Sequence, residues 1–134
     1  MGKAWHGMKW IRTSTRLALY AACGFRCAYC GRDAARSGKP GTFGLDHLVP
    51  REMGGSNAPE NLAMACKGCN GRKGTRTLET WLDALASDGQ DVSLIKVRLY
   101  RRGSLDRSLG RTLASAWGRG ASLATLAKQA RATS

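Results

Sequence analysis

Cys27-Ala28-Tyr29-Cys30 opens the stretch whose reading decides the fold, and Cys66-Lys67-Gly68-Cys69 closes it. Each pair presents two sulfurs from one tight turn. Two such pairs this far apart in sequence are the spacing of a four-thiolate zinc site, with the ion joining turns that are distant along the chain. Between them stand Asp46-His47, Pro50, Gly54-Gly55 and Asn61-Leu62, and Asn70 and Lys73 follow the second pair directly. The intervening residues therefore read as a second site, built on the frame that the sulfurs close.

The rest of the composition agrees with a small metal-stapled domain that works on a polyanion. A chain of 134 residues is one domain by length, with a core modest enough to gain from a structural metal. The formal charge is +13, and four thiolates with one Zn²⁺ would lower it only to about +11. That surplus favours nucleic acid as partner, ahead of a membrane, since no lipid-anchoring amphipathic segment is evident. With no secretory apolar region and no run long enough to span a bilayer, the expected location is cytoplasmic, where reduced thiols stay available to zinc. Of the five cysteines, Cys23 lies outside both pairs and reads as a small buried hydrophobe at the end of a helix.

Taken in order, residues 1–13 form an arm in which Trp5 and Trp10 alternate with Lys3, His6 and Lys9. Such an arm could touch phosphates and stack on bases, or be an ordinary terminus. Ser14 is placed to cap a helix carrying Leu17, Ala18, Ala21 and Ala22, and Gly24 to end it. Phe25 and Tyr29 are expected to cover the sulfurs. Thr42 to Val49 reads as a short strand ending at Pro50, residues 51–60 as a turn-forming loop, and Asn61 to Ala65 as the returning strand. The chain then passes through the second cysteine pair into a helix, giving β-β-α order around one metal centre. Beyond it, Thr77 or Thr80 starts a helix bearing Leu78, Trp81, Leu82 and Leu85. Asp91 caps another with Val92, Ile95 and Leu99, which Gly103 closes. Leu105, Leu109, Leu113 and Trp117 suggest a third, and Ser122 to Arg131 a fourth.

The series Cys27-x2-Cys30, Asp46-His47, Pro50, Gly54-Gly55, Asn61-Leu62, Cys66-x2-Cys69-Asn70 and Lys73-Gly74 resembles the HNH endonucleases, in their zinc-stapled branch found as short free-standing proteins of bacteriophages and mobile elements. The resemblance covers residues 14–76 and implies an α+β fold. Its core is a small ββα-metal (His-Me finger) unit with a structural four-cysteine zinc site, flanked here by an N-terminal helix and by a helical C-terminal extension over residues 77–134. It further implies a metal-dependent endonuclease that hydrolyses DNA phosphodiester bonds, by nicking or double-strand cutting, in phage genome packaging beside a terminase or in homing of a mobile element. The alternative is a non-catalytic zinc-knuckle protein that binds nucleic acid through its charge.

Phosphodiester hydrolysis needs a deprotonated water, a counter-charge for the transition state and help for the leaving oxygen. His47 suits the general base, because imidazole changes charge near neutral pH. Neighbours on a strand point to opposite faces, so Asp46 would look away from His47. By the resemblance, Asp46 and Asn70 hold one catalytic divalent cation, and such oxygen donors suit Mg²⁺ or Mn²⁺ better than zinc. The resemblance also gives Asn61 a structural role, with its amide bracing the loop that aims the base. Lys73, three residues after Asn70 on one helical face, is placed to touch a phosphate, with Arg72, Arg76 and Arg51 as further backbone contacts. Cys27, Cys30, Cys66 and Cys69 are read as ligands to structural zinc.

Overall fold

A computed structural model describes residues 11–36, 41–101 and 105–133. The Trp- and Lys-bearing part of the arm, residues 1–10, and Gly103 lie outside the described residues. Among the described residues the fold has six helices and one two-stranded sheet: α1 (Thr13–Ala22), β1 (Phe43–His47), β2 (Leu62–Cys66), α2 (Lys67–Lys73), α3 (Leu78–Ser87), α4 (Val92–Arg101), α5 (Arg107–Gly118) and α6 (Leu123–Ala132). Short 3-10 turns at Ala34–Arg36, Arg51–Met53 and Pro59–Asn61 shape the loops. The order is mixed helix and strand with a ββα unit at its centre, as the resemblance implies. No helix among the described residues is long and apolar enough to cross a membrane.

The hairpin sets the distances that matter. β1 and β2 pair antiparallel with Phe43 opposite Cys66, Asp46 opposite Ala63 and His47 opposite Leu62. Four steps of an antiparallel ladder, at ~3.4 Å each, separate the cysteine end from the histidine end by roughly 14 Å. Leu48 N–H extends the pairing by donating to Asn61 O at 2.8 Å. The amide of Ala28 donates to Met64 O at 2.8 Å, which docks the first cysteine turn along β2. All five residues of β2 are buried, because α1 and the cysteine turn cover it from different sides.

Ser14 does not cap α1. The helix begins one residue before it, after Arg12, and its first turn has no side-chain cap. Ser14 is instead inside the first turn, where its backbone carbonyl meets α5. The buried residues of α1 are Leu17, Ala18, Leu19 and Tyr20, while Ala21 and Ala22 are half-buried. The face is wider than one helical stripe because α5 covers one side and β2 another. After Cys23 the helix closes with Gly24 N–H on Ala21 O at 2.9 Å and Phe25 N–H on Tyr20 O at 2.8 Å, the paired bonds of a Schellman ending. Phe25 follows at φ +53°, a conformation that costs a non-glycine residue ~1–2 kcal/mol. Burial of its ring to 1 % exposure, edge-on to Tyr20, offsets that cost.

Two apolar clusters flank the sheet. One gathers Cys27, Ala28, Tyr29, Cys66 and Cys69 with Trp81, Leu85, Ile95 and Leu99 of α3 and α4. The other joins Leu17, Tyr20, Phe25 and Met64 to Leu113, Ala116, Leu126, Ala127 and Ala130 of α5 and α6. Tyr29 therefore packs with the sulfurs, whereas Phe25 belongs to the other cluster. The second cluster also unites residues from both sides of position 76, so the C-terminal helices share a core with the hairpin.

The expected starts of α3 and α4 correspond to contacts in the structure, and Ser122 caps α6 in the same way. Thr77 Oγ1 accepts from Thr80 N–H at 3.3 Å, Asp91 Oδ1 from Ser93 N–H at 3.0 Å, and Ser122 Oγ from Thr125 N–H at 3.1 Å. The stripe drawn through Leu105 and Trp117 does not hold. Asp106 caps α5, leaving Leu105 outside it, and Trp117 is 47 % exposed. Steps of four overshoot the 3.6-residue turn, and the buried line is Gly110, Leu113 and Ala116.

Gly110 is the contact point of α5 on α1. A Cβ there would stand 2.4 Å from Ser14 O and 2.8 Å from Ala18 Cβ. Alanine is the better helix former by about 1 kcal/mol, but the clash is with backbone and the helices must part. Gly110→Ala is expected to lower the melting temperature by several degrees, through an overpacking cost of about 1–3 kcal/mol that exceeds the propensity gain. Thermal unfolding followed by circular dichroism measures the sign.

Candidate functional site

The four sulfurs of Cys27, Cys30, Cys66 and Cys69 lie within 4.8 Å of one another, with Cys30 and Cys66 Sγ 3.7 Å apart. Tetrahedral zinc with ligands at ~2.3 Å requires sulfur separations of about 3.8 Å, so the cluster has the size and donor chemistry of a closed structural site. Backbone amides steady it: Cys30 N–H reaches Cys27 Sγ at 3.5 Å and Cys69 N–H reaches Cys66 Sγ at 3.4 Å. A hydrogen bond from Cys69 is the main cause that pushes the Cys27 thiol down to about 4. The donor in that bond, Cys69, is correspondingly pushed up, and burial raises Cys30. One sulfur of the four thus gives up its proton readily before any ion arrives.

At the other end of the hairpin, the alternation of β1 separates Asp46 from His47. Asp46 faces inward at 5 % exposure. Its Oδ2 accepts from the Tyr29 hydroxyl at 2.5 Å, and the Lys73 ammonium stands 3.2 Å from Oδ2 and 3.4 Å from Oδ1. Burial raises the Asp46 carboxyl above its usual range, opposed by the Tyr29 hydrogen bond and then by Lys73. Lys73 also donates to His47 O at 2.9 Å.

Lys73 therefore does not reach a phosphate. At 1 % exposure it is the buried counter-ion of Asp46. The helical spacing from Asn70 is as expected, but α2 turns this face toward the sheet.

His47 is half-buried on the opposite flank, with Nε2 2.7 Å from Asn57 Oδ1. An amide oxygen can only accept, so in the neutral ring this contact places the proton on Nε2 and leaves Nδ1 as the acceptor. Asn57 was legible only as a loop former after Gly54-Gly55-Ser56; nothing in its spacing marks it as a partner of His47.

The loop between the strands is braced by Asn61. Its Oδ1 accepts from Val49 N–H at 2.9 Å, and its Nδ2 donates to Val49 O at 3.1 Å and to Ser56 O at 2.8 Å. Gly55 is what lets the loop close on this amide, since a Cβ there would lie 1.7 Å from Val49 O and 2.9 Å from Asn61 Nδ2.

On α2, Asn70 is half-buried and its side chain has no hydrogen-bond partner among the described residues. Asn70 and Asp46 differ as donors for a hard cation. The amide is uncommitted, while the carboxylate keeps lone pairs but would share them with the Lys73 ammonium. Oxygen donors of this kind fit Mg²⁺ or Mn²⁺ on that condition.

Of the three arginines, Arg51 is exposed at the start of a 3-10 turn. Arg72 Nη2 donates to Cys69 Sγ at 3.2 Å, and Arg76 lies 5.9 Å over the Trp81 ring while donating to Arg72 O. Arg72 and Arg76 line a recess of about 350 Å³ with Trp81, whose buried Nε1 has no hydrogen-bond partner among the described residues.

Residues 27–76 match the model of the HNH endonuclease family. No curated protein and no solved structure matches the chain. The matched segment begins at the first cysteine ligand, takes in the hairpin with Asp46 and His47, and ends just past α2. The match to the HNH endonuclease family thus falls on the segment in which two cysteine turns close one end of a hairpin and a histidine stands at the other.

Proposed function

We propose that this protein is a metal-dependent DNA endonuclease, with zinc in the four-cysteine site and Mg²⁺ or Mn²⁺ as the catalytic ion. The observation that supports the reading is the His47–Asn57 contact, which holds an imidazole at the loop end of the hairpin by its Nε2 and leaves Nδ1 outside that contact. From there His47 takes the proton of the attacking water, and the products are a 5′-phosphate and a 3′-hydroxyl. Asn61 keeps the loop bearing Asn57 closed, so the imidazole that would take the water's proton is held in place. Asn70 and Asp46 are the residues that would hold the divalent ion, which would supply counter-charge to the transition state when bound. Arg51, Arg72 and Arg76 are the backbone contacts in this reading. Its setting, by resemblance to free-standing phage proteins, is genome packaging beside a terminase or homing, inside a bacterial cell.

A second reading, a non-catalytic zinc-knuckle protein that binds nucleic acid, draws on the burial of Asp46 against Lys73. Nicking of supercoiled plasmid by zinc-loaded protein, with Mg²⁺, Mn²⁺ or no added ion, separates the two. The native chain is expected to nick only with added ion. His47→Ala should lose ~10²–10⁴-fold in rate, and Asn70→Ala should lose cleavage while keeping zinc and fold. A native protein that binds DNA and never cuts it would leave the second reading standing.

A further inference from the structure

Away from the hairpin, α1 and α5 enclose an open cavity of about 290 Å³ lined by Arg12, Ser14, Thr15, Arg107 and Arg111. Three arginines, a serine and a threonine line one space, and no ion pair engages any of the three arginines among the described residues. The acid nearest in sequence, Asp106, is occupied in capping α5, accepting from Leu109 N–H at 2.9 Å. Bringing three like charges together is unfavourable without an anion between them. The chain nevertheless holds them together by a specific device. Gly110 lies between Arg107 and Arg111 in sequence, and its missing side chain lets α5 approach the carbonyl of Ser14. The same contact that joins the helices therefore sets the arginines beside Arg12.

We propose that this cavity is a phosphate cradle for the backbone of duplex DNA, a second contact outside the HNH segment. Guanidiniums bind phosphate oxygens in bidentate fashion and the hydroxyls donate to the same oxygens. The proposal rests on the nucleic-acid reading given above and adds to it a surface that neither the cysteine turns nor His47 supplies. Its contribution is sequence-independent. It fixes where the duplex lies while the base readout, if any, is made elsewhere.

Duplex binding by zinc-loaded protein without added Mg²⁺ or Mn²⁺, followed by fluorescence anisotropy over a range of salt, tests it. The triple variant Arg12→Gln, Arg107→Gln, Arg111→Gln alters side chains that are exposed, and its melting curve checks the fold. The slope of log Kobs against log salt should fall by about two to three. A control with the same charge change on other exposed positions, Lys96→Gln, Arg119→Gln, Lys128→Gln, should change it by less. Equal loss in both variants, or no loss in the first, would overturn the cradle. Inorganic phosphate at matched ionic strength distinguishes the source. If it raises the melting temperature of the native chain and not of the triple variant, while the DNA slopes coincide, the site takes a free anion and the backbone assignment is wrong. Plasmid nicking decides the other reading separately. A native chain that nicks while both slopes agree loses only the cradle, and one that never nicks while the slope falls loses only the nuclease.

Discussion

Cys66→Ser, or treatment with a chelator, is expected to strip the proposed zinc and to unfold the hairpin with its two cysteine turns. A structural zinc contributes an apparent ~10–16 kcal/mol in small zinc domains, against the ~5–15 kcal/mol total stability of an ordinary domain. Here the sulfurs are also core residues: Cys27, Cys66 and Cys69 pack with Tyr29, Trp81 and Ile95. Losing the ion leaves three of the four adjacent thiols inside an apolar cluster, so the damage spreads to α3 and α4. Metal analysis with far-ultraviolet circular dichroism should show both losses together. Metal uptake should also strengthen as pH rises, because Cys30 and Cys69, whose thiols are pushed up, must release protons to bind. A Cys66→Ser protein with native metal content and native dichroism would remove the four-cysteine assignment.

Lys73→Met is expected to destabilise the fold by about 3–5 kcal/mol, the usual consequence of leaving one partner of a buried ion pair alone. The Lys73 side chain is fully buried and has two acceptors, the Asp46 carboxylate and His47 O. The pH dependence identifies the cause. Burial raises Asp46 above its ordinary 3.8, so the folded state holds that proton more tightly than the unfolded state. The corresponding stability is present below 3.8 and is lost as pH rises through the raised value. Removing Lys73 takes away an influence that favours the ionised form, and so the raised value goes higher still. The gap in melting temperature between native protein and Lys73→Met should therefore be widest near neutral pH and should narrow as Asp46 becomes protonated. A gap independent of pH would mean that Lys73 acts through packing alone.

These two residues also show where the sequence was readable. Spacing alone revealed the cysteine pairs, because a tetrahedral ion imposes the same short turn wherever it is used. The strands framing Asp46-His47 were legible from Phe43, Leu45 and the leucine and alanine run after Asn61. The alternation of a strand likewise set Asp46 and His47 on different faces. The destination of Lys73 was not legible. Helical periodicity says which residues share a face but not what that face meets, and a lysine against a buried aspartate looks in sequence like any basic residue after a zinc turn. Asn57 was missed for a related reason, since its partner is brought to it by the loop closed on Gly55 and Asn61. The place of α5 was hidden because Gly110 reads as a flaw in a helix until the carbonyl of Ser14 is seen against it.

Met64 of the central strand is packed with Leu113, Leu126 and Ala127 from beyond the family match. A stretch delimited by kinship is thus not a stretch that melts by itself: the segment recognisable as nuclease has no complete interior of its own. Cut out and grafted onto another scaffold, it would present Met64 and Ala34 to water. The matched segment and its helical tail form one thermodynamic unit, even though only the segment carries the recognisable signature.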